Sequence, residues 1–143
     1  MRRLTPAIET STDATVIGPI LRLLRSGLEP ALFERRLAEA IANGYRAFVT
    51  QDRSACLGFH ITHDVYWGKT FYIDDLVVHE QRRSSGIGAA LLDHARTEAR
   101  ALGCDHLRLC SGLRRADAHR FYERNGLART SLQFATSVQE STP

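Results

Sequence analysis

Three groups of residues in this 143-residue chain could do chemistry. The first is Asp74-Asp75, two adjacent carboxylates placed directly before the apolar run Leu76-Val77-Val78. Aspartate is disfavoured in strands, so a pair of them at this place could serve to move a proton. The second is Arg82-Arg83-Ser84-Ser85-Gly86-Ile87-Gly88-Ala89, a polar turn that opens a helix. Free N–H groups at a helix start converge on one spot, and the helix dipole adds positive potential there. Gly86 and Gly88 lack a Cβ, so an anion can come close to the backbone. Arg82 and Arg83 add formal charge. The turn is not a P-loop, because no Gly-Lys-Ser/Thr follows it, and it is not a dinucleotide fingerprint, because position 91 is Leu. The third group is aromatic and histidine residues, with Tyr122 foremost, and with His60, His63, Tyr66, Trp67 and His79 nearer the aspartates.

The elements that must position these groups follow from periodicity and punctuation. Ser11, Thr12 and Asp13 can cap a first helix through Val16, Ile17, Ile20, Leu21 and Leu24, with Pro19 as a kink or a start. Glu29-Pro30 opens a second helix, with stripe Leu32, Phe33, Leu37 and Ile41, and Asn43-Gly44 ends it. Residues 45–50 and 55–66 read as a hairpin closed by Gln51-Asp52-Arg53-Ser54, and residues 71–78 as a third strand. Residues 86–102 carry the strongest helical pattern, with Ile87, Leu91, Leu92, Ala95, Ala99 and Leu102 on one face, and Gly103 stops it. A strand at 106–110, a short helix at 117–125 closed by Gly126, and an alternating strand at 132–138 complete the chain, and the tail 139–143 is expected to fray. This order describes one α/β domain over residues 1–143, antiparallel at first, with a strand–helix–strand crossover later.

Composition agrees with a globular domain: 43% hydrophobic and 24% charged residues leave enough apolar surface for a core. The net charge of +3 suits an anionic small ligand. The basic residues are interleaved with acids and form no block, which argues against a nucleic-acid partner. Met1-Arg2-Arg3-Leu4-Thr5-Pro6 has charges but no apolar core region behind them, so no secretory signal is expected, and no run approaches a membrane span. Cys56, Cys104 and Cys110 are odd in number and lack a CxxC pair, so the expectation is reduced thiols in or near the core, no metal site and a cytoplasmic location.

Arg83-Ser84-Ser85-Gly86-Ile87-Gly88-Ala89 after Leu76-Val77-Val78 resembles the acetyl-CoA motif of the GNAT acetyltransferase superfamily, (Gln/Arg)-x-x-Gly-x-(Gly/Ala). About forty residues on, Asp117 to Leu127, with Phe121-Tyr122 and Gly126-Leu127, resembles the family's second signature. The resemblance covers roughly residues 45–138. It implies a mixed twisted sheet of about six to seven strands, helices on both faces and a splayed central strand pair that holds the pantetheine. Leu76, Val77 and Val78 would then pair with the pantetheine amides, and Arg83, Ser84, Ser85, Gly86, Ile87, Gly88 and Ala89 would hold the pyrophosphate. Tyr122 would protonate the departing thiolate. The family often has Asn seven residues before this tyrosine; here Arg115 stands there and could meet a phosphate.

The implied reaction is acetyl transfer from acetyl-CoA to an amine. The ammonium must first lose a proton, which makes Asp75 and Asp74 candidate bases or water relays. Side chains alternate along a strand, so only one of the two should face the amine unless a bulge intervenes. His79 lies past the strand end, while His60, Tyr66 and Trp67 are candidates to line the acceptor pocket. Residues 115–122 and Tyr66-Trp67-Gly68 resemble the aminoalkylphosphonate N-acetyltransferases and their bacterial relatives, which implies a small amine with an anionic group as acceptor. A protein lysine or N-terminus, or a non-catalytic acyl-CoA-binding module, are the alternatives. The resemblance also makes a homodimer through residues 132–138 an expectation.

Overall fold

The computed structural model describes residues 7–139. The expectations for the first six residues and for most of the tail lie outside that range. The chain divides into two compact units, one up to Leu109 and one from Cys110 onward.

The first unit is built on one sheet of five strands in the order β1-β2-β3-β4-β5. These are β1 (Ile8–Ser11), β2 (Arg46–Thr50), β3 (Ala55–Asp64), β4 (Gly68–Val78) and β5 (His106–Leu109). The first four run antiparallel to their neighbours, and β5 is parallel to β4. Helices α1 (Ala14–Leu21) and α2 (Pro30–Ala42) precede the hairpin, and α3 (Ile87–Ala101) makes the β4–β5 crossover after a short 3₁₀ turn at Glu80–Arg82.

Local chemistry accounts for the helix ends. Asp13 caps α1, accepting from Thr15 N at 2.9 Å. Pro19 sits inside α1, which ends two residues later at Leu21. The Glu29 carboxylate accepts from Ala31 N and Leu32 N, with Pro30 in the first turn of α2. Gly44 follows the C-cap Asn43 with φ +103°, a conformation that favours glycine.

Alternation along the strands divides the apolar residues between two faces. Ala47, Val49, Cys56 and Val77 are buried with Ile17, Ile20 and Leu21 of α1 and Phe33 and Leu37 of α2. On the opposite face Phe48, Phe59 and Phe71 stack at 4.2–6.1 Å, and His94 of α3 meets Phe48 edge-on at 4.5 Å. Leu91, Leu92 and Ala95 of α3 are fully buried. Helices therefore cover both faces of a mixed α/β sheet, as expected.

The strand assignment needs two corrections. β1 lies in the polar segment that reads only as a helix cap, because its backbone pairs with β2 although its side chains offer little to bury. Residues 132–138 form no strand: Leu132, Phe134 and Val138 are 68%, 90% and 88% exposed. Alternation predicts a strand only where a neighbouring edge supplies the ladder. The described residues thus hold five strands rather than six or seven.

The second unit contains α4 (Ala116–Arg124), capped by Arg115 and closed by Gly126 at φ +89°. Cys56 is buried and Cys104 half-buried, but Cys110 is exposed, contrary to the expectation that all three lie in or near the core.

Candidate functional site

β4 positions most of the predicted site. It pairs with β3 along its whole length, but with β5 only from Thr70 to Ile73. From Asp74 to Val78 it therefore has a ladder partner on one side only among the described residues. The backbone of Leu76, Val77 and Val78 forms an edge to which an extended amide-bearing chain can add.

Beyond that edge the chain enters the glycine turn. Ser84 has φ +65° and Gly86 has φ +88°, two left-handed residues within three positions. Alternation of left- and right-handed residues turns successive N–H groups inward and makes a concavity for anions. Gly86 is the N-cap of α3 and no side chain caps this end, so the N–H groups of Ile87, Gly88 and Ala89 stay directed out of the helix start. Ser85 Oγ donates to Arg82 O, which tightens the turn. Arg83 Nε donates to Val78 O at 3.4 Å, while Arg82 pairs with Asp52 at 3.4 Å. His79 caps the 3₁₀ turn, its Nδ1 accepting from Gln81 N at 3.2 Å.

The aspartates lie just before the open edge. In the β3–β4 ladder Gly58 faces Asp75 and Phe59 faces Ile73, so Asp74 is the extra residue of a bulge. The bulge cancels the alternation that would send the two carboxylates to opposite faces. Both line one cavity of about 410 Å³, together with Arg25, Ala40, Asn43, Tyr45 and His60. His60 Nδ1 is 2.5 Å from Asp74 Oδ2. Burial raises the proton affinity of Asp74, with His60 opposing and Asp75 adding to the rise. Asp75 accepts from Arg25 Nη2 at 2.7 Å and from Tyr45 Oη at 2.9 Å. Burial first, and then the charge of Asp75, raise the Tyr45 phenol far above its usual range. Burial likewise pushes the Cys56 thiol up to about 12, with Asp75 again contributing.

Of the three residues expected to line the acceptor pocket, only His60 lines this cavity. Tyr66 and Trp67 sit in the turn at the far end of the hairpin, and Tyr66 is 83% exposed. Trp67 meets Tyr66 and His106 edge-on and lies 4.8 Å from the Arg108 guanidinium, which also pairs with Asp64.

In the second unit Tyr122 lies on α4 with its ring 5.4 Å from that of Phe121. Burial raises its phenol and the Arg115 charge partly offsets this, so the hydroxyl holds its proton at neutral pH. His119 Nε2 is 2.7 Å from Gly112 O, which ties α4 to the turn before it.

An uncapped helix start, an open strand edge and a pair of carboxylates thus follow one another along a short stretch of chain. Residues 20–127 match the Acetyltransferase (GNAT) family. The chain belongs to the GNAT acetyltransferase family. It is an acyltransferase of that family, and acetyl-CoA is its acetyl donor. Among its relatives, the uncharacterized N-acetyltransferase YhdJ of Bacillus subtilis is 35% identical over 108 residues, 73% of this chain and 76% of the relative. The aminoalkylphosphonate N-acetyltransferase of Salmonella typhimurium is 36% identical over 80 residues, 56% of this chain and 50% of that protein. A solved aminoglycoside N-acetyltransferase in complex with CoA superposes with a TM-score of 0.77 at 12% identity, over 97% of this GNAT chain and 100% of that one. That likeness speaks to the fold.

Four cavity residues were not anticipated: Arg25, Ala40, Asn43 and Tyr45. Asn43 and Tyr45 flank Gly44 at the end of α2, where the sequence signals only a helix stop. Arg25 carries no periodic signal at all. Gly58, alone in an apolar strand, is the one readable hint, since glycine in a strand interior often marks a close approach.

Proposed function

We propose that this GNAT protein transfers the acetyl group of acetyl-CoA to the primary amine of a small molecule, by direct attack within a ternary complex. The observation that carries the proposal is the Asp74–His60 pair, which lines a cavity on the strand whose next residues form the open edge. The amine enters the cavity as an ammonium and gives a proton to the carboxylate side of that pair. Its freed lone pair attacks the thioester carbonyl. The C–N bond forms, the C–S bond breaks, and the departing thiolate takes the proton of Tyr122; the nitrogen sheds its second proton as it becomes an amide, and that proton is returned to Tyr122 through solvent. Leu76, Val77 and Val78 hold the pantetheine amides. Arg83, Ser84, Ser85, Gly86, Ile87, Gly88 and Ala89 hold the pyrophosphate, with Arg115 as a further phosphate contact.

A cavity of about 410 Å³ suits a small acceptor better than a folded protein's surface. The relative that acetylates aminoalkylphosphonates supports an acceptor bearing an acid group. Arg25 is the cation of this cavity and the group such an acid would meet.

The full reading is a single acetyltransferase domain spanning both compact units, working in the cytoplasm. A second copy would join it through residues 132–138, where Leu132, Phe134 and Val138 are exposed. Sedimentation of the full chain and of a Phe134→Glu variant tests the dimer: the variant should be monomeric.

The test of function is thiol release from acetyl-CoA with a panel of small primary amines, including aminoalkylphosphonates, amino acids and diamines. Turnover with one class and N-acetylated product in the mixture is the expected result. Binding of acetyl-CoA with no turnover on any amine would contradict it and leave an acyl-CoA-binding module.

A further inference from the structure

Asp74 and Asp75 are adjacent and line one cavity, but their surroundings differ. Gly58 stands opposite Asp75 in the ladder, and the ring of Tyr45 lies across its Cα. A Cβ at position 58 would stand 1.7 Å from Tyr45 Oη and 2.3 Å from Cζ. Tyr45 is 5% exposed, and any side chain at position 58 would collide with its ring where it stands, so glycine lets it through. Through that opening Tyr45 Oη donates to Asp75 Oδ2 at 2.9 Å. The other carboxylate oxygen, Oδ1, accepts from Arg25 Nη2 at 2.7 Å and Nε at 3.2 Å. Asp75 is 9% exposed. Asp74 has His60 on Oδ2, and Arg25 reaches only its main-chain oxygen, at 3.5 Å. Its side chain is 28% exposed.

We propose that the two aspartates have separate tasks: Asp74 takes the proton of the acceptor amine, and Asp75 is a fixed anion held by Arg25 and by Tyr45 through the opening at Gly58. Tyr45, Gly58 and Arg25 are then positioning residues. Arg25 donates twice to one oxygen of Asp75 and Tyr45 once to the other, so three of the carboxylate's acceptor sites are taken, and a proton placed on it would disrupt the Arg25 pair. A fixed negative charge beside Asp74 makes it a better proton acceptor, and the same charge attracts an ammonium. The charged and titratable groups around Asp74 are His60 and Cys56 from β3, Arg25 after α1, Tyr45 before β2 and Asp75 on its own strand; Asn43 at the end of α2 is uncharged.

This inference rests on the amine-acetylation reading, and the experiment separates the two. An amine that the wild-type protein acetylates is first identified; failure there overturns the reading itself. The pH dependence of kcat/KM for that amine is then measured for Asp74→Asn and Asp75→Asn. Asp74→Asn should lose about a hundredfold or more. Asp75→Asn should lose about tenfold at most, with the acid limb moved to lower pH by about one unit, because the like charge beside Asp74 is gone. Tyr45→Phe keeps the ring and deletes only the hydroxyl, and it should move the limb in the same direction by less, which guards against a misfolded Asp75 variant. An inactive Asp75→Asn with an active Asp74→Asn would overturn the assignment. So would loss of rate in Tyr45→Phe with the limb unmoved.

Discussion

His60 Nδ1 stands 2.5 Å from Asp74 Oδ2, across a bulge that turns Asp74 toward the same cavity as Asp75. The contact joins two strands and sets an imidazole against a half-buried carboxylate. A pair of this kind can accept a proton from a bound ammonium and pass it outward, since His60 is 36% exposed.

Asp74 should leave a signature in stability. Burial raises its carboxyl above the ordinary value of 3.8. From that value up to the raised one, the folded chain keeps a proton that the unfolded chain has released. Stability conferred by that proton is present at low pH and is lost as pH rises through the folded value. Asp74→Asn removes the dependence. The variant should therefore melt higher than wild type at about pH 8 and lose that advantage at about pH 4. Thermal unfolding at the two pH values decides it; a gap that does not change with pH contradicts the burial argument.

The glycine turn should fail when its left-handed backbone is denied. Gly86 has φ +88°, and valine there is strained by about 1–2 kcal/mol. Gly86→Val is expected to lower acetyl-CoA affinity at least about tenfold, because the N–H groups that follow it are re-aimed. Gly103, just past the end of α3, has φ +73° and provides the control. Gly103→Ala should cost stability through the same strain yet bind acetyl-CoA as wild type does, read by calorimetric titration.

Tyr122→Phe separates binding from chemistry. If Tyr122 supplies the proton to the departing thiolate, kcat falls about a hundredfold or more while the acetyl-CoA Kd stays within about twofold. The phenol is raised by burial, so it should not titrate across the neutral range, and the wild-type rate should show no alkaline loss below about pH 9 from this group. Stopped-flow turnover at saturating acetyl-CoA checks both points.

Much of this architecture was legible in the residues. The α3 stripe from Ile87 to Ala99 and the stop at Gly103 are seen as read, as are the start of α2 at Glu29-Pro30 and, among the three capping candidates, the cap at Asp13. The aspartate pair stood out because strands disfavour aspartate. What did not follow was the direction each carboxylate takes. That depends on a single extra residue in β4, and a bulge is decided by pairing with β3 rather than by β4's own sequence. Arg25 and Tyr45 were hidden for a similar reason: they reach Asp75 from fifty and thirty positions away, and nothing in their local pattern signals the meeting. Residues 132–138 show the converse, a clean alternation that forms no strand and leaves Leu132, Phe134 and Val138 exposed.

The most direct test of the account is acetyl transfer by Asp74→Asn at saturating acetyl-CoA, using the best acceptor found for wild type and mass detection of the N-acetylated product. The account predicts intact acetyl-CoA binding, a folded protein and a rate lowered about a hundredfold or more, because the ammonium is no longer deprotonated in the cavity. A variant that acetylates the amine at the wild-type rate would contradict it and move the proton-accepting site away from the Asp74–His60 pair.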